Sequence, residues 1–306
     1  MLSSRISRLE EWISHSTAVL DGNRVSDTRI HGEIAGLGAW TGRMAHSKPN
    51  LGNIPAFNQT EPDKTPYSDK MRGLWRAGPG MVLVGVDAEG IQLRILAHYM
   101  KDQNFIDALV HGRKEDGTDP HALNKSALGK VCRSRDDAKT WIYAWLLGAG
   151  KRKQAAILGC SVAEATRAEQ NLLDKYRGLR YIKEKVLPRD AVRGYFEGLD
   201  GRYVPIPGDT PDERLHLALA GYLQNGEAIV IKRACLKFLE ELRRKKISFE
   251  LVNIVHDEYL IECYDKDSRE IKQILCTAVE QVGEDLGLEC PLSGTGKIGR
   301  TWYDVH

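Results

Sequence analysis

Val84-Gly85-Val86-Asp87-Ala88-Glu89-Gly90-Ile91-Gln92-Leu93-Arg94 ends an apolar run on an aspartate and passes at once into a turn and a helical pattern. Far along the chain, Ile254-Val255-His256-Asp257-Glu258 also brings an apolar run to an aspartate. Each run reads as a buried strand, where a carboxylate is costly unless a cation compensates it. Two such carboxylates brought together repel each other unless divalent ions sit between them. The pattern points to phosphoryl transfer.

Working outward, Met81 to Asp87 reads as a strand and Ile91 to Met100 as an amphipathic helix. Residues 5–20 have helical spacing through Ile6, Leu9, Trp12 and Ile13; residues 28–55 are turn-rich, and 56–79 read as loop. A mostly helical stretch follows from about 103 to 196. It includes a helix from Arg135 to Leu147, ended by Gly148-Ala149-Gly150, and a capping box at Ser161-Val162-Ala163-Glu164. Gly198-Leu199-Asp200-Gly201-Arg202 reads as a turn between short strands. Glu213 to Leu242 forms a long helix, with Arg243-Arg244-Lys245-Lys246 suiting its C-terminal dipole. Ile247–Val255 and Glu258–Cys263 read as strands around His256-Asp257, and a last helix runs from about Ser268 to Leu286. Strands separated by a long helical excursion make the fold class α+β.

The 306 residues are 42% hydrophobic and 28% charged, as in soluble globular proteins. No apolar run reaches the ~20 residues a membrane span needs. The cysteines form no CxxC pair, which argues for reduced core thiols in a cytoplasmic protein and against zinc or a disulfide framework. A net charge of +2 leaves any nucleic-acid contact to local clusters such as Lys151-Arg152-Lys153.

Arg135, Lys139 and Tyr143 recur at i, i+4 and i+8 and share one helix face. Arg135 and Tyr143 stand roughly 12 Å apart along the axis, enough for a nucleoside triphosphate with its phosphates on the cations and its sugar or base near the phenol. The same spacing also describes an ordinary solvated cationic stripe.

Taken in order, these segments resemble the polymerase module of family A DNA polymerases, especially the bacteriophage replicative type. Motif A resembles Val86 to Arg94, motif B Arg135-Asp136-Asp137-Ala138-Lys139-Thr140-Trp141-Ile142-Tyr143, and motif C Val255-His256-Asp257-Glu258. Thr41-Gly42-Arg43, Pro49-Asn50-Leu51, Gly198 to Arg202 and the ending Gly296 to His306 add further matches. The resemblance covers Arg29 to His306. It implies a right-hand polymerase palm with an antiparallel sheet and an inserted helical fingers subdomain. The implied divisions are a remnant thumb-base helix over 1–27, palm over 28–102 and 213–306, and fingers over 103–212. Asp87, the Ala88 carbonyl and Asp257 would hold two Mg²⁺ ions, for which Mn²⁺ can substitute, with Glu258 an auxiliary carboxylate or a strand-edge charge.

The resemblance further implies that Arg135, Lys139, Tyr143, His121 and Gln92 bind the deoxynucleoside triphosphate, with Lys139 a proton donor to the leaving group. Primer-template DNA would be touched by Arg43, Arg202, Arg214, Gln224 and His256. For Arg202 and Arg214 a structural salt bridge is the alternative, and for His256 a turn position.

Some positions depart from the family pattern. Gln92 replaces the usual glutamate that blocks a ribose 2′-hydroxyl, Leu147 replaces a tyrosine that commonly bonds to it, and Ala220 replaces asparagine. The first two together imply sugar selection that is steric and looser than usual. The region before Arg29 is short for a thumb, so the reading expects either a fragment or one subunit of a split phage polymerase, the latter with a separate polypeptide supplying thumb and exonuclease, docked on an exposed apolar side of helix 5–20. Competing readings are a 3′–5′ exonuclease using Asp87-Ala88-Glu89, a single-subunit RNA polymerase, and a catalytically silent DNA-binding subunit.

Overall fold

A computed structural model describes residues 7–12, 17–20, 23–26, 29–55 and 67–306. The described elements run α1 (7–12), β1 (Thr17–Leu20), β2 (Asn23–Ser26), β3 (Glu33–Ala35), β4 (Ala45–Ser47), α2 (Ser68–Gly73), β5 (Met81–Ala88), α3 (Ile91–Met100), α4 (Gln103–Val110) and α5 (Pro120–Leu128). They continue with α6 (Arg135–Leu146), α7 (Lys151–Leu158), α8 (Val162–Lys175), α9 (Arg177–Tyr181), α10 (Leu187–Arg193), β6 (Tyr195–Glu197), β7 (Tyr203–Pro205) and α11 (Pro211–Arg244). The chain closes with β8 (Phe249–Val255), β9 (Glu258–Tyr264), α12 (Asp265–Asp285), β10 (Gly294–Gly299) and α13 (Trp302–Val305). Two compact units result: one of Met1–Asp87, Glu240–Ile274 and Thr295–His306, the other of Ala88–Leu239 and Leu275–Gly294.

In the first unit a four-stranded sheet has the order β10-β5-β9-β8. β5 is apolar almost throughout because it is central and buried on both faces. It pairs antiparallel with β9, setting Asp87 opposite Glu258; β8 and β9 form a hairpin in which Val255 also faces Glu258. That leaves His256-Asp257 as a two-residue turn, with His256 in the left-handed region at φ 53°.

The C-terminal helix α13 lies against β5 where Gly85 leaves room: a Cβ there would come within 2.7 Å of the Val305 carbonyl oxygen. β10 is not legible from sequence. Gly294-Thr295-Gly296-Lys297-Ile298-Gly299 has the composition of a turn, and only the edge of β5 makes it a strand.

The N-terminal expectation is corrected in three respects. Helix is present at 7–12, but Thr17–Leu20 pairs with Asn23–Ser26 as an antiparallel hairpin. Asp21-Gly22 between them is the dipeptide that favours a two-residue hairpin turn, a signal stronger than the helical spacing. Ile6, Ile13 and residues 14–16 lie outside the described residues. The apolar side of α1 is also not exposed. Trp12 is buried in a core with Ile54, Met71, Leu260 and Trp302, its ring centroid 5.0 Å from that of Trp75, and Leu9 packs on the same cluster. Finally, Ser68–Gly73 of the expected loop 56–79 is helical, and 56–66 lie outside the described residues.

Trp12→Ala is therefore expected to lower unfolding free energy by about 3–5 kcal/mol in a chemical-denaturation experiment, whereas an exposed Trp12 would leave it almost unchanged.

The second unit is mainly helical. Ser134 with Asp137 and Ser161 with Glu164 close reciprocal capping boxes at the starts of α6 and α8. The β6–β7 hairpin turns through Gly201 at φ 81°. Among the described residues no helix is long and apolar enough to cross a membrane.

Candidate active site

The register of β5 and β9 brings Asp87 and Glu258 together at one end of the sheet, and Asp257 stands in the adjoining turn, half-buried. Asp87 is also half-buried, while Glu258 is only 3% exposed. Ligand atoms of Asp87, Glu258 and His306 lie within 4.8 Å of one another. The C-terminal segment holds Glu258 on both oxygens: Trp302 Nε1 donates to Oε1 at 2.7 Å, and His306 Nδ1 lies 3.2 Å from Oε2. Lys297 Nζ in turn donates to the His306 carbonyl at 3.1 Å.

Burial, and next the Glu258 charge, raise the Asp87 pKa to about 6, against the opposing pull of His306, Arg72 and Lys297. Arg72 is itself buried, with its guanidinium 5.0 Å over the Trp302 ring and hydrogen bonds to the Ile54 and Pro55 carbonyls. Burial pulls Arg72 below its usual range, and Glu258 and Asp87 act against that shift. Nearby, His46 is lowered by burial and by His256, opposed by a bond to the Ile254 backbone.

The two carboxylates, Glu258 buried and Asp87 half-buried, are hard oxygen donors of the kind that suits a magnesium or manganese ion, and the exposed His306 imidazole adds a nitrogen donor beside them. The fit has a consequence for stability. An Asp whose folded pKa is raised favours folding fully below its unfolded value near 3.8, and that contribution is lost as pH rises through about 6. Above pH 6 the ionised Asp87 costs about 3 kcal/mol in the absence of metal. Asp87→Asn is expected to raise the melting temperature of metal-free protein at pH 7.5 and to leave it unchanged below pH 4; equal effects at both pH values would contradict this.

In the second unit α5 and α6 assemble the cationic group. Arg135 Nε donates to both Asp119 oxygens, at 3.1 and 3.0 Å, and Nη2 lies 3.0 Å from Oδ1. Asp119 also caps α5 by accepting from the His121 backbone N–H. Burial pushes Asp119 up, but Arg135 and the His121 N–H outweigh it and hold the carboxyl below its ordinary range. The His121 ring lies 6.0 Å from that of Tyr143. Its pKa falls to about 4, through burial first and then the Arg135 charge, so the imidazole is neutral at pH 7. Lys139 is exposed on the same face of α6, and Tyr143 is half-buried.

The other expected residues have settings of their own. Gln92 opens α3 and donates from Nε2 to Glu227 Oε2 at 2.9 Å. Leu147 is exposed at the end of α6. The Arg202 guanidinium is held by Asp200 at 2.6–3.0 Å, and Arg214 donates to the carbonyls of Gly208, Asp209 and Ala191. Arg43 lies in the β3–β4 connection, Gln224 is half-buried on α11, and His256 is exposed in its turn. Glu89 spends its carboxylate on Arg94 at 3.2 Å.

Reading the sequence missed Arg72, Asp119, Glu227, Trp302 and His306 as site residues. Asp119-Pro120 carries a recognisable helix-start signal; the others have none that is local.

The first unit thus carries a strand-end carboxylate group, and the second a helix bearing Arg135, Lys139 and Tyr143. The chain belongs to DNA polymerase family A, whose model matches residues 5–304. It is 28% identical to the DNA-directed DNA polymerase of Enterobacteria phage T3 and 29% identical to that of Escherichia phage T7, each over 92% of this chain and 42% of the relative. The chain thus spans under half the length of these phage relatives. The polymerase domain of Pol1 from M. smegmatis, solved with DNA primer-template and dNTP, matches at a TM-score of 0.82 and 23% identity. That match covers 99% of this chain and 52% of the other and shows the same mixed fold with antiparallel sheet.

Proposed function

We propose that this chain is the catalytic part of a template-directed DNA polymerase, extending a primer 3′-hydroxyl with deoxynucleotides. The observation that carries the reading is the register that sets Asp87 opposite Glu258 and beside the Asp257 turn, at the end of a buried sheet. In this reading the first unit supplies the palm chemistry and α5–α6 supply the fingers.

Asp87 and Asp257, with the Ala88 carbonyl, would hold two divalent ions, which would supply Lewis-acid stabilisation of the charge that develops during transfer. Glu258 is an auxiliary carboxylate, clamped by Trp302 and His306. Arg135 and Lys139 neutralise the phosphates; Lys139 carries the proton that leaves with pyrophosphate. Neutral His121 offers a hydrogen bond to the phosphates without adding charge. Tyr143 and Gln92 meet the sugar, and Arg43, Gln224, Arg202, Arg214 and His256 contact primer-template.

The exonuclease alternative has less support, because Glu89 is paired with Arg94. The idea that a second polypeptide supplies thumb and exonuclease loses its docking face, since Trp12 is in the core; mixing with such a polypeptide tests it directly. The reading as a whole is tested by primer extension on a defined template with Mg²⁺, using Asp257→Ala as control. Synthesis that persists in the variant would overturn it, as would wild-type protein that binds primer-template but never extends it.

A further inference from the structure

Gln92 and Glu227 are distant in sequence yet bonded at 2.9 Å, from the first turn of α3 to the middle of α11. Glu227 is 1% exposed. The two helices approach closely where Gly226 faces Ile95: a Cβ at 226 would lie 3.0 Å from Ile95 Cγ2. The carboxylate therefore has little freedom to move away from position 92.

We infer that Glu227 is a specificity-positioning residue, fixing the side chain of Gln92 so that its amide is presented to the nucleotide sugar in a single orientation. The inference rests on the polymerase reading above. Glu227 Oε2 accepts from the amide NH₂, and turning the amide over would set its oxygen against that acceptor. With Nε2 held, Oε1 must point the other way. A held side chain excludes a 2′-hydroxyl by volume, whereas a loose one swings aside.

The same geometry explains why position 92 is glutamine. A glutamate there would set two carboxylates in contact in a buried place, a like-charge pair that cannot stay fully ionised without a cation. The loss of tyrosine at 147 is a separate matter, since the partner of Gln92 is on α11.

The test is single-nucleotide incorporation with matched deoxy- and ribonucleotides, done in parallel with thermal melts. Glu227→Ala is expected to raise the ribonucleotide-to-deoxynucleotide ratio about tenfold, on the scale by which a side chain's packing discriminates substrates. The change should fall on ribonucleotide KM more than on deoxynucleotide kcat. Glu227→Gln retains an acceptor for Nε2 and is expected to keep the wild-type ratio. Gln92→Glu alone should raise the ribonucleotide-to-deoxynucleotide ratio, because repulsion from Glu227 loosens the side chain, and Gln92→Glu with Glu227→Gln should restore the ratio by reversing donor and acceptor. An unchanged ratio in Glu227→Ala, or an equal shift in Glu227→Gln, overturns the inference. If Glu227→Ala does not fold, failure of the reversed pair to restore the ratio overturns it instead. Wild-type protein that incorporates neither nucleotide would indict the polymerase reading, a result distinct from all of these.

Discussion

Asp257→Ala is expected to abolish template-dependent extension, with at least about a 10³-fold loss in kcat and little change in the unfolding midpoint. Asp257 lies in a two-residue turn and is half-buried, so its removal leaves the β8–β9 ladder intact. What disappears is one of the carboxylates proposed to position the ions against the developing charge. Such an interaction exists mainly in the transition state, so kcat falls while nucleotide KM stays nearly constant. Glu258→Gln is a useful companion. Trp302 Nε1 can still donate to its amide oxygen, so an auxiliary role predicts a smaller loss than at 257. A Glu258→Gln defect equal to that of Asp257→Ala would move Glu258 from auxiliary carboxylate to ligand. Rapid-quench incorporation with saturating Mg²⁺ separates these outcomes.

The second large effect concerns the α6 cations, and the two residues should fail differently. Lys139 is exposed, and its replacement by alanine should cost about 10²–10³-fold in kcat/KM, the scale of losing one preorganised group aimed at developing negative charge, with stability unchanged. Arg135 is bound to Asp119, whose side chain is only 7% exposed. Arg135→Ala removes the phosphate contact and also leaves that carboxylate without its cation. Because Arg135 is itself 27% exposed, the stability penalty should be about 1–3 kcal/mol, below the value for a fully buried pair. Combining Arg135→Ala with Asp119→Asn should recover stability and leave activity low. Denaturant midpoints together with nucleotide KM for the four proteins check this. Recovery of activity in the double variant would mean that Arg135 serves the fold and not the nucleotide.

The ion pair also sets how the cationic group works. Asp119 neutralises part of Arg135 and ties it to the start of α5, while burial and Arg135 keep His121 uncharged. An incoming triphosphate would therefore meet one full cation, one partly neutralised cation and a neutral donor.

Much of this was legible before any coordinates. The strand into Asp87 ends one residue beyond the expected position and the following helix has the bounds predicted from its spacing. The capping box at Ser161 and Glu164 forms as its residue types require. These features are local: burial on both faces demands a continuous apolar run, and a capping box needs only residues three apart. The expected helix over 5–20 ran too far because its spacing, carried by Ile6, Leu9, Trp12 and Ile13, was extended into residues 17–20, which pair as a strand, and β10 was missed because its glycines carry no strand preference.

Sequence alone determined which residue types stand at strand ends and along helix faces, and hence the family and the chemistry to look for. Tertiary structure alone decided who faces whom: Glu258 against Asp87 and beneath the C-terminal Trp302 and His306, Asp119 on Arg135, Glu227 on Gln92. The reason is physical. Periodicity records whether a side chain points inward, and that depends on neighbours along the chain; its partner is set by register and by close approaches such as those at Gly85 and Gly226, where chain segments distant in sequence meet.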